Sequence, residues 1–194
     1  MSPELILAST SPRRKELLEL AKIPFIIRKQ TIDESIITTN DPAQKVEQLA
    51  LHKAMHVEFL NPHEVILTAD TVVAYKGIIY GKPKNHEDAF QMLSNLSGDT
   101  HEVYTGVAIQ SIDKKISFVE KTTVEFWPLN EVEINEYIFT KDPFDKAGAY
   151  GIQSQGAILV KQIIGDYYNV VGLPISRVVR ELMKYNIKAV PSIE

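Results

Sequence analysis

Apolar positions along the chain recur with two periods, and each change of period marks an element. Leu5-Ile6-Leu7-Ala8 is an unbroken apolar run of strand length, followed at once by the polar, basic stretch Ser9-Thr10-Ser11-Pro12-Arg13-Arg14. That order predicts a strand, a loop and a helix start. Ser11 stands at the N-cap and Pro12 at the first helical residue, where its fixed φ and missing N–H are no handicap. Leu17, Leu18 and Ala21 continue the apolar face until Pro24, and residues 25–28 predict a second strand. Asp41-Pro42 repeats the cap-then-proline signal ahead of Val46, Leu49, Ala50, Ala54 and Val57, which follow helical spacing.

Residues 65–75 are rich in β-branched side chains and predict a strand, with Lys76-Gly77 as a turn and residues 78–80 as the return. Asn85 is placed to cap a helix through Leu96, which Ser97-Gly98 stops. Two long strands, 103–112 and 116–126, meet at Asp113-Lys114. Asn130 with Glu133 has the spacing of a capping box for a helix to Phe139. Residues 157–164 predict another strand, and Ile175, Val178, Val179, Leu182 and Met183 mark a closing amphipathic helix. Helices alternate with strands around one long hairpin, which is the α/β class with a mixed sheet. With no repeat, charge block or linker-like stretch, a single domain over residues 1–194 is expected, with room for two lobes around a central cleft.

Composition narrows the chemistry. The 194 residues carry a formal charge of −4, which argues against a broad nucleic-acid platform, whose footprint is a large basic surplus. A small anionic ligand needs only a few local cations and remains open. There is no cysteine, so disulfides, thiolate-bound zinc and a thiol nucleophile are excluded. The start Met1-Ser2-Pro3-Glu4 lacks the features of a secretory signal, and no apolar run reaches the roughly 18 residues of a membrane span. A soluble, cytoplasmic protein is the expectation.

Three positions break the rules of their elements. Arg13 and Arg14 lie in the first turn of a helix, where a cation opposes the helix dipole, so they are either solvated or set around an anion. Lys53 falls near the middle of an apolar helical face, where an ammonium must snorkel out or meet a partner. Asp70 interrupts a strand of apolar residues, as a strand-end cap, a general base or a metal ligand. Asp33-Glu34 could add a second carboxylate for a divalent cation or simply be solvated.

Other motifs resolve more simply. Gly81-Lys82-Pro83 fails the P-loop pattern, because Pro83 stands where Ser or Thr is required, yet Lys82 can serve as a positioned cation. His52 and His56 lack a zincin partner set, and Ser9 and Ser11 lack the glycines of a nucleophile elbow. In Asp145-Lys146-Ala147-Gly148-Ala149-Tyr150-Gly151-Ile152-Gln153 the small residues permit close backbone approach, while Tyr150 and Gln153 could meet a base by stacking and amide hydrogen bonds. Residues 165–174 carry similar chemistry. Either stretch could be a structured turn, and together with the charged sites they point to a nucleotide pocket.

Taken in order, the blocks Leu7-Ala8-Ser9-Thr10-Ser11-Pro12-Arg13-Arg14, Ala69-Asp70-Thr71-Val72-Val73, Gly81-Lys82-Pro83, Leu96-Ser97-Gly98, Tyr104-Thr105-Gly106, Lys146–Gln153 and Asn169-Val170-Val171-Gly172-Leu173-Pro174 resemble the Maf family of nucleoside triphosphate pyrophosphatases over nearly the whole chain. The resemblance implies an elongated mixed β-sheet flanked by helices, similar to the inosine triphosphatase-like (Maf/Ham) fold, often as a homodimer. It implies hydrolysis between the α- and β-phosphates of a nucleoside triphosphate with a divalent metal, Mg²⁺, Mn²⁺ or Co²⁺. By the same resemblance Asp70 is the proton acceptor, and Ser9, Arg13, Arg14, Lys53 and Lys82 are phosphate-side residues. Glu34 is the acidic position that joins Asp70 at the metal, and Arg13, Thr71 and Gln153 are linked with base choice. The Ala-Tyr-Gly-Ile-Gln version resembles the branch acting on dTTP and UTP, with modified pyrimidine triphosphates as rival substrates and a nucleotide-binding role in cell division as the rival function. Ser154-Gln155 before Gly156 departs from the family pattern, in which Gly often follows Gln directly.

Overall fold

Strand β1 (Glu4–Leu7) ends where the polar loop begins, and α1 (Pro12–Leu20) follows with Pro12 in its first turn. The computed structural model describes residues 2–29 and 32–190. Ser11 holds the N-cap position as expected, but its side chain makes no capping bond; its N–H instead donates to Ser9 Oγ at 3.1 Å. The predicted second strand shrinks to β2 (Ile26–Ile27), and Asp41 caps α2 (Pro42–Met55) by accepting from the Gln44 N–H at 3.0 Å.

The hairpin of β3 (Glu64–Tyr75) and β4 (Ile78–Tyr80) turns at Lys76-Gly77. α3 (His86–Leu96) starts at Asn85, whose side chain accepts from the Asp88 N–H at 2.9 Å. β5 (Thr100–Gln110) and β6 (Lys115–Phe126) form the long hairpin, and α4 (Glu131–Phe139) carries the reciprocal Asn130–Glu133 capping box. The strand expected over 157–164 begins late: Gln155–Leu159 wind into a 3₁₀ turn, so β7 is Val160–Ile164. The expected 165–174 loop contains a short helix, α5 (Tyr167–Val171), opened by the Asp166 side chain and ended at Gly172, whose φ of 122° an L side chain rarely adopts. α6 (Ile175–Met183) closes the chain as predicted.

Among the described residues the strands form one seven-stranded sheet in the order β2-β1-β3-β5-β6-β7, with β4 added on β3. β1 pairs in parallel with β2 and β3, and the other pairings are antiparallel. This is the mixed α/β sheet expected from the sequence. α1 and α6 pack on one face of the sheet and α2 on the other, which the apolar clusters record. Leu17, Leu18, Val178 and Leu182 meet Leu67 and Ala69, whereas Ala50 and Ala54 meet Ile66 and Ala108.

One detail of the register makes the site. β1 pairs with β3 only as far as Leu7 with Leu67, and β4 begins its pairing at Val73 with Tyr80. Residues 68–72 therefore have a strand neighbour on the β5 side alone. Side chains alternate across a strand, so Thr68 and Asp70 face α2 while Ala69 and Thr71 face α1. A gap in one sheet edge thus collects residues from both faces.

Candidate active site

A cleft of about 1090 Å³ opens over this gap, at the upper end of the size range for small-molecule sites. It is lined by the loop after β1, the start of α1, the exposed edge of β3, the segment from Gly81 to Lys82 and the turns around Lys146 and Gln153. Ser9, Arg13, Arg14, Glu34, Lys53, Asp70, Thr71, Lys82 and Gln153, all expected at a site from the sequence, line this one cleft.

The Arg14 guanidinium is fixed by neutral acceptors: Nε donates to the Gly172 carbonyl at 2.9 Å, Nη1 to Ser9 Oγ at 3.4 Å and Nη2 to Thr71 Oγ1 at 3.2 Å. Burial lowers its pKa, and the negative charge of Asp70 works against that. A guanidinium seated on uncharged partners keeps its charge available to an anion in the cleft. Thr71 Oγ1 is also 2.9 Å from Thr105 Oγ1, which in turn donates to the Asn169 carbonyl at 3.1 Å. Since Thr105 has one hydroxyl hydrogen and gives it to Asn169, Thr71 donates to Thr105 and accepts from Arg14. Arg13 reaches the opposite wall, where Nη1 meets Asp145 Oδ2 at 2.8 Å.

The acidic side is built around Lys53. The residue is 8% exposed, and its Nζ lies 2.5 Å from Asp70 Oδ1 and 2.8 Å from Glu34 Oε1. The ammonium that the apolar stripe of α2 made anomalous has found two carboxylates, one from β3 and one from the 3₁₀ turn Glu34–Ile36. Burial pushes the Glu34 carboxyl up, but hydrogen bonding and charge from Lys53, with Lys82 and Arg14 beyond, outweigh it and hold the group below the usual carboxylate range. Asp70, 9% exposed, accepts its strand position because its own edge of β3 is open.

The donors suit a hard divalent cation. Asp70 and Glu34 meet the Lys53 ammonium through Oδ1 and Oε1, which brings two carboxylates together in the cleft. Mg²⁺ is commonly held by one or two carboxylates with water and substrate phosphates completing the shell. Among the described residues no cluster of three or more His, Asp or Glu could hold a metal by itself. A cation here would share its shell with the bound phosphates.

The far wall contains a network that the sequence reading left out. Lys146 Nζ donates to Asp142 Oδ1 at 2.8 Å and Asp145 Oδ1 at 2.6 Å, and Asp142 Oδ2 accepts from Tyr137 at 2.7 Å and from Ser154 Oγ. Burial raises the Asp142 carboxyl, and the bonds from Lys146, Ser154 and Tyr137 bring it below the ordinary value. The i, i+4 spacing of Asp142 and Lys146 was a visible signal for part of this. Gln153 lies exposed on the rim, and Lys82 is exposed on a loop whose Gly81 carbonyl accepts from the Gly148 N–H at 3.0 Å.

One expectation changes. The ring of Tyr150 is packed edge-on against Phe126 with centroids 4.7 Å apart, and its hydroxyl is 2.8 Å from His101 Nε2, so it supports the wall from within the core. Burial lowers the His101 pKa to about 4, leaving the imidazole neutral at pH 7. The rings of His52 and His56 lie tilted against each other with centroids 4.2 Å apart, and among the described residues they belong to no group of three or more side chains that could hold a metal.

A family model described as "Maf-like protein" matches residues 4–185. The chain belongs to the Maf family. Among its Maf relatives, a protein named "dTTP/UTP pyrophosphatase" from Bacillus cereus (strain AH187) is 55% identical over 184 residues, which is 95% of this chain and 96% of the relative. One of the same name from Bacillus anthracis (strain CDC 684 / NRRL 3495) is 55% identical with the same coverage. A solved structure described as a HAM1 protein from Coxiella burnetii is 15% identical, covers 94% of this chain and 99% of that one, and aligns with a TM-score of 0.51. At that identity the likeness is one of fold, and it agrees with the Maf/Ham architecture expected from the sequence. None of the described helices is long and apolar enough to cross a membrane.

Proposed function

We propose that this Maf protein is a nucleoside triphosphate pyrophosphatase that converts dTTP and UTP to the nucleoside monophosphate and pyrophosphate. The observation that carries the reading is the division of one cleft into an acidic pair held by Lys53 and a cationic group formed by Arg13, Arg14 and Lys82. Relatives 55% identical over nearly the whole chain, named dTTP/UTP pyrophosphatases, support the choice of substrate. The organisation as one unit over residues 1–194 belongs to the same reading, and β3 supports it by contributing Leu67, Val73 and Ile66 to all three apolar clusters.

In this mechanism Asp70 accepts a proton from the water whose oxygen bonds to the α-phosphorus. The bond from that phosphorus to the α,β-bridging oxygen breaks, and the electron pair leaves with pyrophosphate. Lys53 orients the Asp70 carboxylate, while Arg14, Arg13 and Lys82 hold the triphosphate and offset the charge that develops on the leaving group. A divalent cation, Mg²⁺, Mn²⁺ or Co²⁺, supplies charge neutralisation when bound, with Glu34 and Asp70 as the residues that would hold it. Most of the rate gain comes from positioning and preorganised charge. Arg13, Thr71 and Gln153, which all line the cleft, are assigned to base selection.

A panel of nucleoside triphosphates with Mg²⁺, Mn²⁺ or Co²⁺, analysed for products, tests the reading. Monophosphate and pyrophosphate from dTTP and UTP are expected. Equal turnover of purine nucleotides overturns the base assignment, and release of orthophosphate alone overturns the reaction. Arg14→Lys probes the anion site: an ammonium keeps the charge but cannot reproduce the guanidinium fork. The KM for UTP is expected to rise about 10- to 100-fold, the value of a charge-assisted hydrogen bond, with circular dichroism unchanged. An unaltered KM removes Arg14 from the phosphate site.

A further inference from the structure

Lys53 can act on Asp70 only if α2 sits at one height above the sheet, and two residues outside the charged cluster govern that height. Thr68 shares a face of β3 with Asp70, two residues away, and is fully buried. Its Oγ1 donates to the Ala50 carbonyl in α2 at 2.7 Å. Ala50 lies one helical turn before Lys53 on the same stripe, so this bond ties the turn that carries Lys53 to the strand that carries Asp70.

The second contact limits how far apart they can be. Gly106 of β5 is the register partner of Asp70. A Cβ built on it would lie 2.3 Å from the Val46 carbonyl oxygen, 2.4 Å from the Val46 carbonyl carbon and 2.7 Å from the Glu47 nitrogen. All three are backbone atoms, so no side-chain rotation relieves the overlap, and a methyl group must lift α2 or displace β5. Val46, Ala50 and Lys53 follow i, i+4, i+7 along the packed face of α2. Gly106 thus lets the helix come down at Val46 and Thr68 fastens it at Ala50, one turn before the 2.5 Å contact of Lys53 with Asp70.

We propose that Thr68 and Gly106 are positioning residues that set the height of α2 over β3 and so hold the Lys53 ammonium on the Asp70 carboxylate. The proposal rests on the pyrophosphatase reading for its effect on rate and on the contacts alone for its effect on the Lys53–Asp70 pair. Thr68→Val keeps the branched shape and removes the hydroxyl, and the Ala50 carbonyl keeps its bond within the helix ladder, so the variant is expected to fold.

The test measures kcat and KM for UTP with Mg²⁺ on the full chain. Thr68→Val is expected to lower kcat roughly 10- to 100-fold, the range for a misplacement of about 1 Å, while KM stays near the parent value. Thr68→Ser, which retains the hydroxyl, is expected to restore most of the loss. In a Lys53→Met background neither Thr68→Val nor Gly106→Ala should reduce kcat further, because the contact they serve is already gone. Full activity of Thr68→Val, or the same fold-loss in both backgrounds, overturns the proposal. If Gly106→Ala does not fold, the Thr68 pair carries the test. If the parent protein releases no pyrophosphate from any triphosphate, the functional reading fails separately. The positioning claim then stands or falls on thermal unfolding of a Lys53→Met, Asp70→Asn double-mutant cycle: Thr68→Val should abolish the coupling, and an unchanged coupling overturns it.

Discussion

Asp70→Asn is expected to lower kcat for pyrophosphate release from UTP by about 10²- to 10⁴-fold, the range attributed to a positioned general base. Asparagine is nearly isosteric and can still accept from the Lys53 ammonium, which lies 2.5 Å from Oδ1 in the parent protein. It cannot take a proton from water. The substitution therefore separates geometry from proton transfer, and circular dichroism together with UTP binding in Ca²⁺ should remain close to the parent. A folded Asp70→Asn protein with full turnover would remove Asp70 from the base role. A loss of binding equal to the loss of kcat would make it a ligand-holding residue only.

Arg28→Met is expected to destabilise the fold by about 1.5–3 kcal/mol, the value of hydrogen bonds to a charged group, because Glu64 is buried while the Arg28 side chain is partly exposed. Glu64 is 1% exposed at the start of β3, and the Arg28 guanidinium meets it with two bonds, of 2.7 Å and 2.9 Å. The Leu60 N–H adds a third bond at 2.9 Å. The hydrogen bond from Arg28 is the largest influence holding the Glu64 carboxyl below the usual carboxylate range, against the opposing effect of burial. A carboxyl depressed in the folded state contributes stability that is present above its unfolded pKa, about 4.3, and is lost as pH falls through the lower folded value. The difference between parent and Arg28→Met should therefore be largest near pH 7 and shrink below about pH 4, where Glu64 in the variant is protonated. Urea unfolding at both pH values measures it. An equal difference at both would show that lost packing of the arginine stem, rather than charge, sets the cost.

Both predictions concern carboxylates in β3, and they differ in how visible they were. Asp70 stood out because it breaks an apolar strand. Glu64 did not, because the strand was predicted to start at Val65 and an acidic residue before a strand reads as solvated. Only pairing of Glu4 with Glu64 and the arrival of Arg28 from beyond β2 enclose it. Lys53 falls between these cases. Its place on the apolar stripe of α2 showed that it needed a partner, and the identity of that partner depended on where α2 lands on the sheet.

The rest of the cleft follows the same division. Caps at Asp41, Asn85 and Asn130 and the hairpin turn at Lys76-Gly77 were legible because each is a local bond between residues two to four apart. The Arg13–Asp145 contact joins residues 132 apart in sequence. The Thr71–Thr105–Asn169 chain likewise depends on the registration of β3 with β5 and on the placement of α5. Tyr150 stayed open for the complementary reason: an aromatic side chain among small residues reads equally as a stacking surface or as core, and only its packing in the wall of the cleft decides between them.

The sequence by itself determined the order of the strands and longer helices, the helix caps at Asp41, Asn85 and Asn130, the α/β class, the absence of thiol chemistry and the residues whose charge did not suit their elements. Those properties depend on neighbours along the chain, where spacing and short-range hydrogen bonds act. The tertiary structure decided that the pairing of β1 along β3 stops at Leu67 before that of β4 starts at Val73, which opens one edge of β3 and brings both of its faces into a single cleft. It also decided that Lys53 meets two carboxylates while Arg14 rests on neutral acceptors. Charges in a low-dielectric cleft act on whatever lies within a few ångströms, and strand register and helix height, which no local pattern encodes, set what that is.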